Sequence, residues 1–242
     1  MRPELYIETE EIEASPFHEL MRNQVQEILL VSSLYDSFLL SQDGQLRERL
    51  ISEFMELNLK HTPGITHKFD AEAALKLAHD DPRYNLIITT MRVGDIHVLE
   101  FAGRVSDEGL NVPIILLTFD EREITELHKH NDANLISRSY IWQGDFRILL
   151  AIVKNIEDQW NVKGDTRAMG VPVILLIEDN IRFYSSCLPM IYAELMKHTH
   201  HLLSDSVNLY LKLLRMRARP KIIHCENFEE AWEYYGTYED YI

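Results

Sequence analysis

Asn85-Leu-Ile-Ile-Thr-Thr90-Met-Arg-Val-Gly-Asp95 decides the reading of this chain. The run 86–90 is short and apolar, the pattern of a buried strand, and a loop carries it to a helix opening at Asp95. In an open parallel sheet, ligands bind just beyond the carboxyl ends of the strands. Thr90, read as the last strand residue, is therefore expected to face that crevice with a neutral hydroxyl.

Working outward, the same alternation recurs on both sides. Upstream, Ile28-Leu-Leu-Val31 is a bounded apolar run followed by the polar turn Ser32-Ser33. Leu46, Leu50, Phe54 and Leu57 then recur at helical spacing, and Pro63-Gly64 stops that helix. Residues 65–69 read as a second strand, with Asp70 capping a helix through Leu77 and Asp81-Pro82 marking the turn. Downstream, Pro113-Ile-Ile-Leu-Leu-Thr118 is a fourth strand, followed by a helix near 124–130. Leu135-Ile136 is expected in a weak fifth strand. Phe146, Leu149, Leu150, Val153, Ile156 and Trp160 stripe a last helix. Strands and helices in strict alternation over about 130 residues specify an α/β fold, a doubly wound five-stranded parallel sheet of the flavodoxin-like kind.

These elements resemble a response-regulator receiver domain. That resemblance implies a Mg²⁺ site built from carboxylates after the first strand and an aspartate acceptor after the third. It also implies a Ser/Thr after the fourth strand and a lysine after the fifth. At the matching positions stand Ser32 and Ser33, Thr90, Thr118 and Arg138. No carboxylate remains at them to form an acyl phosphate, and neutral hydroxyls alone make a poor Mg²⁺ site. The expectation is a degenerate receiver pocket with no catalytic residue and no cofactor in the first domain. Asp36 and Asp95 lie nearby in sequence but are read in a loop and at a helix start respectively.

The pattern then restarts. Residues 161–171 are polar and glycine-bearing, as suits a linker. Val173-Ile-Leu-Leu-Ile177 is a second first strand, ending in Glu178-Asp179. Those acids are read either as part of an incomplete Mg²⁺ site or as caps of the next helix. Ile65-x-His67-x-x-Asp70-x-Glu72-x-Ala74 matches Ile222-x-His224-x-x-Asn227-x-Glu229-x-Ala231 at a constant offset, an internal repeat. The domain reading is an amino-terminal arm and helix over 1–25, a receiver-like domain over 26–160, the linker, and the start of a second receiver-like domain over 172–242. The repeat stops one residue before its third strand, so the second domain is expected to be truncated.

Composition narrows the function classes. Thirty-nine acidic residues against 24 basic ones give a formal charge of −15, which disfavours nucleic acid and anionic membrane. No apolar run approaches the roughly 20 residues of a membrane span, and two cysteines, Cys187 and Cys225, make no disulfide framework. A cytoplasmic location is expected. No glycine-rich nucleotide motif follows either first strand. His128-x-His130 and His198-x-His200-His201 are short histidine pairs of the surface type. Lys212, Arg215, Arg217, Arg219 and Lys221 form a basic patch at a helix end.

Two further stretches, Ile177-Glu-Asp-Asn-Ile-Arg-Phe-Tyr-Ser-Ser-Cys-Leu-Pro-Met-Ile-Tyr192 and Leu213-Leu-Arg-Met-Arg-Ala-Arg-Pro-Lys221, are similar to the receiver-like leader of bacterial phosphoenolpyruvate synthase/pyruvate phosphate dikinase-related proteins. That resemblance implies a regulatory leader whose partner is another protein or a missing carboxyl-terminal module. A homodimer through the face of the fourth and fifth elements is the receiver-like alternative. Three functions stay open: a non-catalytic signalling module; a phosphoacceptor whose site lies in the completed second domain; and part of a phosphotransferase acting on pyruvate or phosphoenolpyruvate.

Overall fold

The computed structural model describes residues 20–40, 48, 51–52, 54, 62–127, 129–204 and 217–242. Its larger sheet is built from β1 (Glu27–Val31), β2 (Gly64–Lys68), β3 (Tyr84–Thr89), β4 (Ile114–Thr118) and β5 (Arg138–Ile141), all parallel and ordered β2-β1-β3-β4-β5. This is the flavodoxin-like strand order, whose switch point lies between β1 and β3. Side chains alternate across it, as a period of two requires. Ile28, Leu30, Leu86, Ile88, Ile115 and Leu117 enter one core, while Leu29, Val31, Ile87, Ile114 and Leu116 enter the other. Both faces are covered, which is why these strands read as unbroken apolar runs. Each fully buried Ile or Leu contributes about 1.5–3 kcal/mol.

Helices α1 (Leu34–Leu40), α2 (Ala71–Asp80), α3 (Val98–Asp107), α4 (Glu121–Leu127) and α5 (Arg147–Met169) follow the successive strands. Asp70 caps α2 as expected, its carboxylate accepting from Glu72 N and Ala73 N. The helix expected over 46–57 lies largely outside the described residues; Phe54, within it, is buried.

Several expectations are corrected. β3 ends at Thr89, so Thr90 stands one residue past it. Asp95 opens no helix: Gly94, at φ 59, turns a two-residue hairpin between 92–93 and 96–97, and α3 starts at Val98. The fifth strand is 138–141, because Tyr140 and Ile141 are the buried pair there, whereas 131–135 form a 3₁₀ turn.

The stretch read as a linker continues α5 to Met169, and Gly170 at φ 60 ends it. Several polar residues of α5, among them Asn155, Glu157, Asp158, Asn161 and Asp165, are interior. Asp165, Asn161 and Glu157 accept backbone N–H groups of Met21, Asn23 and Val25 at 3.0, 2.9 and 3.2 Å. Two extended residues advance about 6.6 Å and four helical residues about 6.0 Å, so the periods match. Residues 22–26 form no helix, unlike the amino-terminal helix expected there, and Met21 turns at φ 52; residues 1–19 lie outside the described part.

The second unit comprises β6 (Val173–Ile177), α6 (Ile181–Ser204), β7 (Lys221–Cys225) and α7 (Phe228–Tyr238), with β6 and β7 parallel. The repeat is real in three dimensions: β2 maps onto β7 residue for residue, and α2 onto α7. Helix α6 packs on α5 and β5. Ser185 Oγ accepts from Ile141 N at 3.0 Å, and Tyr184 donates to Ser139 O at 2.7 Å, closing the edge of the five-stranded sheet. The face expected to serve for homodimerisation is thus partly occupied from within.

A buried ionic cluster pins the two units together. The Asp158 carboxylate accepts from Arg219 at 2.6 and 2.9 Å, from Tyr192 at 3.0 Å and from Ile222 N at 3.0 Å. Lys221 lies 2.8 Å from Asp165, and burial, with Arg219 nearby, pushes its ammonium down to about 8. Of the basic patch read at a helix end, Arg219 and Lys221 are interior and pair with acids of α5; Lys212 and Arg215 lie outside the described residues.

Candidate functional site

The crevice at the carboxyl edge of the larger sheet is lined by hydroxyls that are already engaged. Ser32, fully buried, donates from Oγ to Ser33 O at 3.1 Å, leaving His67 Nε2 to donate to it at 2.8 Å. Burial lowers the His67 pKa, which favours this neutral ring. Ser33 Oγ accepts from Asp36 N at 3.0 Å and opens α1.

Thr90 Oγ1 lies 2.8 Å from Asp36 Oδ2 and 3.0 Å from Arg92 O. Across the sheet, Thr118 Oγ1 donates to the Glu123 carboxylate and accepts from Asp120 N at 3.2 Å. Both threonines are buried. Carboxylates therefore do stand at this edge, supplied by α1 and α4 rather than by the strands. Each serves a threonine hydroxyl in a charge-assisted bond. Reading the sequence passed over Asp36 as a reaching residue and Glu123 altogether. A signal for Asp36 was present in Ser33-x-x-Asp36, a capping-box spacing.

The fit to Mg²⁺ follows from this donor set. The ion takes near-octahedral oxygen ligation through carboxylates, phosphate and water. Asp36 and Glu123 are turned to separate threonines, and no group of three potential ligands gathers among the described residues. The residues present, as arranged, do not fit the metal.

Arg138 does not join Ser32, Ser33, Thr90 and Thr118. It begins β5, at the opposite edge of the sheet, and reaches the second unit. There it donates to His224 Nδ1 and pairs with Glu226 at 3.3 Å and Glu230 at 3.8 Å. His224 Nε2 donates to Glu178 O at 2.8 Å. Burial and the adjacent Arg138 hold this imidazole down at about 4. The pair His224–Glu178 repeats His67–Ser32: in each unit a histidine of the second strand bonds the residue just past the first.

Glu178 and Asp179 follow β6 directly. The helix cap is Asn180, whose Oδ1 accepts from Phe183 N at 3.0 Å, while Glu178 Oε1 accepts from Asn180 N at 3.0 Å. Asp179 is exposed. Away from both crevices, a groove of about 670 Å³ runs along the amino edge of the larger sheet, past Asn85, Asn111, Asn134 and Trp160.

No family model matches the chain and no curated protein does. Among solved structures it is similar to the receiver domain of Francisella response regulator 1452, with 14% identity and a TM-score of 0.39, over 56% of this chain and 99% of that one. It is also similar to the signal receiver domain of an HD domain-containing protein from Pseudomonas fluorescens Pf-5, with 16% identity and a TM-score of 0.38, over 58% and 93%. A third is the chemotaxis response regulator CheY4 of Vibrio cholerae, with 15% identity and a TM-score of 0.38, over 54% and 98%. At such scores it is the strand order, not the likeness, that assigns the fold: a flavodoxin-like α/β sheet.

Proposed function

We propose that this chain is a non-catalytic regulatory module, a pseudo-receiver that signals by protein–protein contact. The observation that carries the reading is the pair of part-buried threonine–carboxylate bonds, Thr90–Asp36 and Thr118–Glu123, at the edge where a receiver would do its chemistry. A phosphoryl acceptor must present a free carboxylate beside a cation; here the acids are acceptors for neutral hydroxyls. Beryllium fluoride with Mg²⁺, a mimic of an acyl phosphate, tests this by amide NMR. Unchanged shifts at residues 32–33, 89–90 and 118 are expected, and saturable shifts there would refute the reading.

A second reading has its own observation. Glu178 and Asp179 stand at the carboxyl end of β6, and Asp179 is exposed. In this reading the second unit is the phosphoacceptor, holding Mg²⁺ through that pair, with the acceptor outside residues 172–242. Mg²⁺ titration of the Asp179→Asn variant against the parent separates the two. Kinship to phosphoenolpyruvate synthase-like proteins rests on the resemblance of 177–192 and 213–221 alone, and calorimetry with ATP or pyruvate tests it. Among the described residues no helix is long and apolar enough to cross a membrane; a cytoplasmic location belongs to the same proposal.

A further inference from the structure

The two halves of the repeat differ in what covers their second helix. In the first unit, α2 turns Ala71, Leu75 and Ala78 into a core shared with β3 and α3, and all three are buried. At the repeat's offset, α7 carries Phe228, Trp232 and Tyr235, which are 66, 62 and 43% exposed. Their spacing puts them on one stripe, with rings stacked at 5.8 and 5.6 Å.

Beneath them lies β6, whose one pairing among the described residues is with β7. β6 is apolar on both faces, the composition of an inner strand, yet Ile174 and Ile177 are 40 and 54% exposed. The rim is acidic. Glu229, Glu233, Glu239 and Asp240 are exposed around the stripe, Glu178 and Asp179 close the end of β6, and residues 226–242 hold no Lys or Arg.

We propose that this edge and stripe form a docking site for a polypeptide partner. The partner adds an apolar strand parallel to β6 and lays a basic-rimmed amphipathic helix over Phe228, Trp232 and Tyr235. The first unit shows the arrangement: there a parallel strand and the helix after it, β3 and α3, cover the matching positions. Strand addition supplies backbone hydrogen bonds, side-chain pockets supply selectivity, and the acid rim selects Lys and Arg. An exposed apolar patch of this extent marks an interaction surface.

A second copy fits less well. Helix α7 lies over β6 itself, so antiparallel β6–β6 pairing would bring two α7 helices within about 5 Å, where packed helices need 8–10 Å. It would also face two acid rims. The proposal gives the contact surface of the regulatory reading, and it stands or falls apart from the pocket chemistry.

The test uses the whole chain and a fluorescein-labelled peptide of residues 84–107, the strand and helix that do this in the first unit, carrying Glu100→Lys and Asp107→Lys. Expected are saturable binding by anisotropy and protection of the amides of 173–177 from hydrogen exchange. Binding at least about tenfold weaker is expected for Trp232→Ala and for Phe228→Ser, both with unchanged melting. No saturation, or equal binding by both variants, would overturn the proposal. So would a concentration-dependent homodimer in sedimentation that Trp232→Ala abolishes, because the stripe would then belong to a second copy.

Discussion

The first unit spends its apolar side chains on two complete cores, one on each face of a five-stranded sheet; the second leaves the corresponding stripe in solvent. The local rules are the same in both. Asp70 and Asn227 cap their helices alike, and His67 and His224 each bond the residue just past a first strand. What differs is the covering layer, so a repeated element takes its burial from its neighbours and not from its own sequence. The larger unit also lends α5, Arg138 and the edge of β5 to the smaller one. The prediction is that the two unfold together.

The sharpest way to break that comparison is Asp158→Ala. It leaves the Arg219 guanidinium, the Tyr192 hydroxyl and the Ile222 amide without their shared acceptor in a buried place. The expected cost is about 3–5 kcal/mol, read by urea denaturation with one transition in the parent chain. An independent second transition in the parent would show that the units are not coupled.

Asn161→Ala comes next. It removes the contacts to Asn23 N and O that hold the segment before β1 on α5. A loss of about 1–3 kcal/mol is expected, since two part-buried hydrogen bonds to the backbone go, at about 0.5–1.5 kcal/mol each. Thr90→Val should cost less, about 0.5–1.5 kcal/mol, by freeing the Asp36 carboxylate from one hydrogen bond. Trp232→Ala should change stability by less than about 0.5 kcal/mol, because its ring is mostly in solvent.

Acidification gives a fifth handle. His224 is held at about 4 by burial and Arg138, below the ordinary imidazole value of 6.5. Between those values the unfolded chain binds the proton and the folded chain does not. Stability therefore falls as pH drops from 6.5 toward 4 and is flat above 6.5 for this group. His224→Gln should flatten part of the slope of melting temperature between pH 7 and pH 5; an unchanged slope would assign it elsewhere.

Strands β1, β3 and β4 were legible because buried parallel strands are apolar throughout, and β2 and the repeat because caps and stops such as Asp70 and Pro63-Gly64 sit at fixed places. β5 was not, since Arg138 and Ser139 open it with polar side chains, and the partners of Arg138 lie in the second unit. The tail of α5 was not, since Asn161 and Asp165 look like solvated residues until the segment that donates to them is in view. Of the residues read into the site, Ser32, Thr90 and Thr118 lie at the carboxyl edge of the sheet, Thr90 one residue past the strand it was expected to end. Arg138 was misplaced by the shift in β5. Asp36 and Glu123 came into the site through tertiary geometry.

The central claim is that this pocket keeps the receiver's scaffold while its acids are committed to threonine hydroxyls. Incubation of the whole chain with acetyl phosphate and Mg²⁺, followed by intact mass and peptide mapping, tests it most directly. The account predicts no phosphoryl adduct within residues 27–141. A stable adduct there, at Asp36, Thr90 or Glu123, would contradict it.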